Sequence, residues 1–97
     1  MVRSREDIIA ILRAMKPDLV RRFGVRDLAV FGSFARGDQT DRSDIDILVD
    51  VDPEIGLDFV TLADSLEAAL GRPVDLISTR ALRPRHMDAI PPEALHV

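Results

Sequence analysis

The 97-residue chain is 46% hydrophobic and 31% charged, which describes a folded domain rather than a disordered one and predicts a single domain, 1–97, with one small core. It has no cysteine, so disulfides and thiolate metal sites are excluded, and its formal net charge of −4 argues against a surface that grips long nucleic acid, which is usually basic. No apolar run reaches the ~20 residues needed to span a bilayer and no signal-peptide core opens the chain, so it reads as cytoplasmic with no membrane contact.

In chain order, Ile8, Ile11, Leu12, Met15 and Leu19 recur at helical spacing, predicting one amphipathic helix or two over 4–23. Ser4 is the expected N-cap with Asp7 behind it. Pro17 is expected to kink the helix or start a second one, and Gly24 to end it. Leu28 to Phe31 is a short apolar run that stops at Gly32 and reads as a buried strand. A helical turn is expected over 33–38 and a polar loop over 38–43. From Asp44 to Val51 the pattern alternates, with Ile45, Ile47, Val49 and Val51 on one face and Asp44, Asp46 and Asp50 on the other, Leu48 among them; this is a strand with one buried face. Pro53 and Gly56 mark a loop. Phe59, Val60, Leu62, Ala63, Leu66, Ala69 and Leu70 predict a core-facing helix stopped by Gly71, and 74–77 reads as a third strand. A helix is expected over 80–90, Pro91-Pro92 interrupts it, and the last five residues carry no assignment. The order predicts an α/β sandwich, with helices on one face of a small mixed sheet of about three strands.

The residues that carry chemistry lie mainly between Val30 and Asp46. Asp44 and Asp46 project from the same side of a strand, with Cα atoms ~6.5–7 Å apart. At that distance they repel one another, and a divalent cation removes the conflict. Magnesium takes oxygen ligands and is commonly held by one or two carboxylates plus substrate phosphates; two ions ~3.5–4 Å apart clamp both ends of an in-line phosphoryl displacement. Asp75, set between Val74 and Leu76, is the candidate third carboxylate, provided its strand lies beside that of Asp46. Asp50 and Asp52 start ~13 Å further along and are too far to share the metal. Gly32-Ser33 sits where a strand gives way to a helix. Glycine admits a phosphate close to the backbone, free N–H groups and the Ser33 hydroxyl donate to it, and Arg36 adds a charge-assisted contact.

Each part alone has a plainer reading. Gly-Ser is a common turn, Asp-x-Asp is often a solvated edge, Asp75 can be the partner of an arginine, and His86 and His96 read as surface residues without zinc-ligand spacing. The joint pattern of Gly-Ser, ten residues, Asp-x-Asp, a helix and an isolated strand aspartate is much harder to reach by accident.

That pattern resembles the polymerase-beta-like nucleotidyltransferase superfamily. The strings G-S-F-A-R-G-D and S-D-I-D-I-L-V resemble its minimal nucleotidyltransferase (MNT) group, over a span from about Ser4 to about Ile90. The resemblance implies that fold, with Asp44, Asp46 and Asp75 binding magnesium, and Gly32, Ser33 and Arg36 holding the triphosphate of ATP. It further implies an antitoxin paired with a helical HEPN ribonuclease toxin, and transfer of AMP to a tyrosine of that toxin. Pro91-Pro92 departs from the continuous C-terminal helix usual in the group. Two other readings compete: a non-catalytic nucleotide-binding antitoxin that neutralises its partner by occlusion, and a drug-modifying nucleotidyltransferase, for which the length leaves no acceptor-holding domain.

Overall fold

The computed structural model describes residues 2–79 and 93–97. Its elements are α1 (Arg5–Phe23), β1 (Asp27–Phe31), α2 (Gly32–Arg36), β2 (Ile45–Asp50), α3 (Asp58–Leu70), β3 (Val74–Ser78) and β4 (Leu95–His96). Ser4 caps α1, its hydroxyl accepting from the Asp7 N–H at 3.3 Å and so satisfying an amide that the helix start leaves free, and the Asp7 carboxylate accepts from the Arg3 N–H just before the cap at 2.9 Å.

Pro17 neither breaks α1 nor starts a second helix; it lies inside one 19-residue helix. A proline there forfeits the hydrogen bond to the carbonyl four residues back. Pro17 and Arg13 are both exposed, so water can reach the carbonyl. Ile8, Leu12 and Leu19 on the opposite side are wholly buried, and fully burying each contributes ~1.5–3 kcal/mol. Packing outweighs the local defect.

The sheet has four strands in the order β3-β2-β1-β4. β1 runs antiparallel to β2, with Phe31 opposite Asp46, and β2 runs parallel to β3, with Asp46 opposite Asp75. α3 supplies the crossover that a parallel pair requires. Leu28 and Val30 of β1 and Ile45, Ile47 and Val49 of β2 form one core with Ile8, Leu12 and Leu19 of α1 and Leu62, Leu66 and Leu70 of α3. Alternation puts Phe31, Asp46 and Asp75 in a row across the other face. Ala29 and Leu48, on that face too, are 2% and 5% exposed.

Two further sequence expectations need correction. The sheet has a fourth strand where about three were expected: β4 pairs with β1 through Ala29 opposite His96 and Val30 opposite Leu95. It is held by Val97 N–H to the Leu28 carbonyl at 2.9 Å, Lys16 Nζ to the Val97 carbonyl at 2.6 Å and His96 Nδ1 against Asp27 Oδ2 at 2.8 Å. Val60, grouped with the core-facing stripe of α3, is 59% exposed. The expected helix over 80–90, with His86, and the break at Pro91-Pro92 lie outside the described residues. Among the described residues no helix is long and apolar enough to cross a membrane.

Pro17 yields a test. A proline inside a helix costs ~3 kcal/mol relative to alanine, and its restriction of the unfolded chain offsets ~0.4–1 kcal/mol of that. Pro17→Ala should therefore stabilise the protein by about 2 kcal/mol in urea unfolding. A lower midpoint than that of the parent chain would mean that the helix depends on the proline.

Candidate active site

The site forms where β1 ends. Gly32 has φ +72, a left-handed conformation, and a Cβ at this position would collide with the carboxylate of Asp46. Only glycine meets both demands: a side chain would be strained by the backbone and would strike the neighbouring strand. The chain turns directly into α2, whose Phe34 is fully buried. Two arginines brace this turn. Arg5 donates to the Ala35 carbonyl at 2.7 Å. The Arg72 guanidinium lies over the Phe34 ring, 5.3 Å from its centroid.

Arg72 also fixes the loop between α2 and β2. It donates to the carbonyls of Val2 at 3.2 Å, Asp41 at 3.1 Å and Ser43 at 3.1 Å. Within the loop, the Thr40 N–H donates to Ser43 Oγ at 2.8 Å and the Ser43 N–H to the Thr40 carbonyl at 3.0 Å. The ten residues between Ser33 and Asp44 are thus a short helix and a pinned turn that deliver Asp44 to the start of β2. The start of β3 is held in the same manner, by the Val74 N–H donating to Glu67 Oε2 at 2.9 Å.

Asp46 is partly buried, whereas Asp44 and Asp75 are exposed. Burial raises the Asp46 pKa above its ordinary value, the negative charges of Asp75 and Asp44 raise it further, and Arg36 opposes them. The structure thus brings Asp44, Asp46, Asp75 and Arg36 into one electrostatic neighbourhood. Asp50 lies opposite Asp27 at the other end of the strand pair, and Asp52 lies beyond β2. Among the described residues no cation forms an ion pair with Asp75, and no three carboxylate or histidine side chains close into a ready-made metal cage. An open arrangement of oxygen donors still suits magnesium, which keeps waters and takes phosphates alongside one or two carboxylates.

The end of the site formed by Gly32 and Arg36 contains a residue that the sequence did not flag. Arg36 donates from Nε to Asp38 at 3.2 Å and from an Nη to Glu93 Oε2 at 3.3 Å. The same Glu93 oxygen accepts the Gly32 N–H at 3.4 Å. Asp38 first, and then Glu93, hold the Arg36 pKa above its ordinary value. Glu93 and Arg72 carried no signal, since one follows Pro91-Pro92 in the unassigned tail and the other follows a helix stop.

A family model described as "Nucleotidyltransferase domain" matches residues 12–96. The chain belongs to the nucleotidyltransferase family. It is 48% identical over 80 residues to the Protein adenylyltransferase MntA of Thermococcus cleftensis, covering 80% of each chain. A solved structure described as a minimal nucleotidyltransferase superposes with a TM-score of 0.79 at 34% identity, covering 96% of this chain and 95% of that one. A crystal structure of a toxin–antitoxin with AMP-PNP matches with a TM-score of 0.57 at 33% identity, over 80% of this chain and 59% of that one. Resemblance, fold class and enzyme class therefore stand as read from the sequence: the nucleotidyltransferase has the expected α/β fold of the minimal group.

The raised Asp46 pKa has a consequence for stability. A folded-state pKa above the unfolded one means that the folded protein favours the protonated acid, so this contribution is lost as pH rises through the folded pKa. In metal-free buffer, Asp46→Asn should be more stable than the parent nucleotidyltransferase at pH 7, and the gap should narrow as pH falls towards the ordinary value of 3.8. Urea midpoints at several pH values in chelator give the answer. Equal midpoints at pH 7 would show that the ionised Asp46 carries no penalty.

Proposed function

We propose that this nucleotidyltransferase transfers AMP from ATP to a hydroxyl on a protein partner, with magnesium, acting in the cytoplasm as the antitoxin that modifies a helical HEPN ribonuclease toxin. The observation that carries the reading is the contact of the Gly32 turn with Asp46, itself in register with Asp75. One strand end brings phosphate-type donors against two carboxylates. The activity named for the MntA relative, and the toxin–antitoxin with AMP-PNP, support the substrate and the partner.

In this reading the Gly32 N–H, the Ser33 hydroxyl and the Arg36 guanidinium hold the triphosphate. Such positioning converts a meeting of two molecules into one ordered encounter. Asp44, Asp46 and Asp75 would hold magnesium, as two ions that together would bring charge stabilisation to an in-line phosphoryl displacement. Bound magnesium would supply charge stabilisation to the phosphates and acidify the acceptor hydroxyl. Asp75, which is exposed, is the carboxylate we assign to take the acceptor's proton. The partly buried Asp46 is fixed by β1 on one side and β3 on the other, so it serves to position rather than to move.

Incubation of a helical HEPN-type partner with the nucleotidyltransferase, ATP and magnesium should raise the partner's intact mass by whole AMP units. Asp44→Ala with Asp46→Ala, or removal of magnesium by chelator, should leave the mass unchanged. Should the double variant neutralise the partner as well as the parent chain does, with no mass gain in either case, neutralisation by occlusion replaces the transferase reading.

A further inference from the structure

Two of the three groups proposed to hold the triphosphate are already engaged by the protein itself. Glu93 Oε2 accepts from the Gly32 N–H at 3.4 Å and from the Arg36 guanidinium at 3.3 Å. This contact is built into the sheet. Val30 lies opposite Leu95 in the antiparallel pairing of β1 with β4. Continuing that register brings Ala94 opposite Phe31 and Glu93 opposite Gly32. The backbone of Glu93 is therefore tied to the same strand that ends in the phosphate turn. Its side chain is 22% exposed against 49% for Arg36, so the carboxylate sits on the inner side of the pair.

We propose that Glu93 is an internal competitor for the nucleotide, its carboxylate occupying the donors that the triphosphate must take. The inference rests on the reading that Gly32 and Arg36 hold phosphate. A carboxylate oxygen and a phosphate oxygen are the same kind of acceptor, and both form charge-assisted bonds to guanidinium. The Gly32 amide has a single hydrogen to give. Two anions on the same donors repel, so the nucleotide enters only as Glu93 swings out. On departure of the product, Glu93 returns and satisfies the amide and guanidinium left behind. The residue thereby weakens nucleotide binding and eases release, a role distinct from that of Asp38, which touches Arg36 but not the Gly32 amide.

Calorimetric titration of the magnesium complex of AMP-PNP into the parent chain and four variants separates the possibilities. Glu93→Gln keeps the shape and removes the charge, so it should bind on the order of tenfold more tightly than the parent chain, equivalent to about 1.4 kcal/mol. Glu93→Asp, which withdraws the carboxylate, should shift affinity in the same direction, with thermal unfolding as the check that both variants fold. Asp38→Asn leaves the Gly32 amide occupied and should change affinity much less. Arg36→Ala should weaken binding. Glu93→Gln binding no tighter than the parent, while Arg36→Ala binds more weakly, overturns the competitor and leaves the phosphate reading standing. An equal gain from Asp38→Asn overturns it too, by tracing the effect to net charge. Unchanged affinity in Arg36→Ala means that the phosphates lie elsewhere, and both readings fall.

Discussion

The close approach of Gly32 to the Asp46 carboxylate is the constraint around which the rest of the molecule is arranged. It requires Phe31 opposite Asp46 in an antiparallel pair, and a one-residue slip would send Asp46 into the core face. It requires a left-handed backbone at residue 32, which turns the chain out of the sheet and starts α2 there. The partial burial of Asp46 follows, because one side of its carboxylate is covered by backbone with no Cβ between. Three strands meet in this row. β1 brings the turn, β2 the central carboxylate and β3 the third.

The two faces of the sheet have opposite roles. Ile45, Ile47 and Val49 anchor β2 to the helical layer, and Asp46 between them is held in place by that burial. Carboxylates brought together in partly dehydrated surroundings destabilise the fold until something neutralises them, so the core must offset the electrostatic cost of the site. The arginines divide the labour. Arg5 and Arg72 donate to backbone carbonyls and act as braces, whereas Arg36 stands beside the carboxylates and lowers the Asp46 pKa against the pull of its neighbours.

Much of this was legible in the sequence because it is written in local pattern. Alternation from Asp44 to Val51 gave the parity of Asp46 against Ile45 and Ile47, and the apolar run ending at Gly32 located the turn. The pairing of β3 with β2 was a condition of the argument rather than a result of it, since an isolated aspartate in an apolar run does not say which strand lies alongside. Three features could not be read. β4 is two residues long, too short for periodicity, and is held by backbone bonds and by side chains distant in sequence. Glu93 reaches Gly32 only through the register of that strand. The continuity of α1 through Pro17 is the third, because the burial of Ile8, Leu12 and Leu19 that favours one helix is not visible locally.

The charge balance of the site bears on the order in which ligands arrive. Asp46 lies against the Gly32 turn and feels the charges of Asp44, Asp75 and Arg36, and Arg36 is already shared with Asp38 and Glu93. A bare triphosphate approaching this arrangement meets carboxylates on several sides and one cation that is already partnered. Attraction of that single guanidinium cannot dominate, because exposed ion pairs contribute little and are screened by salt. A triphosphate that arrives with divalent cations changes the sign of the interaction, since the same carboxylates that repel phosphate attract the metal. Cations therefore ease the meeting of an acidic site with an anionic nucleotide, and this is the physical ground for proposing magnesium-dependent transfer at Asp44, Asp46, Asp75 and Arg36.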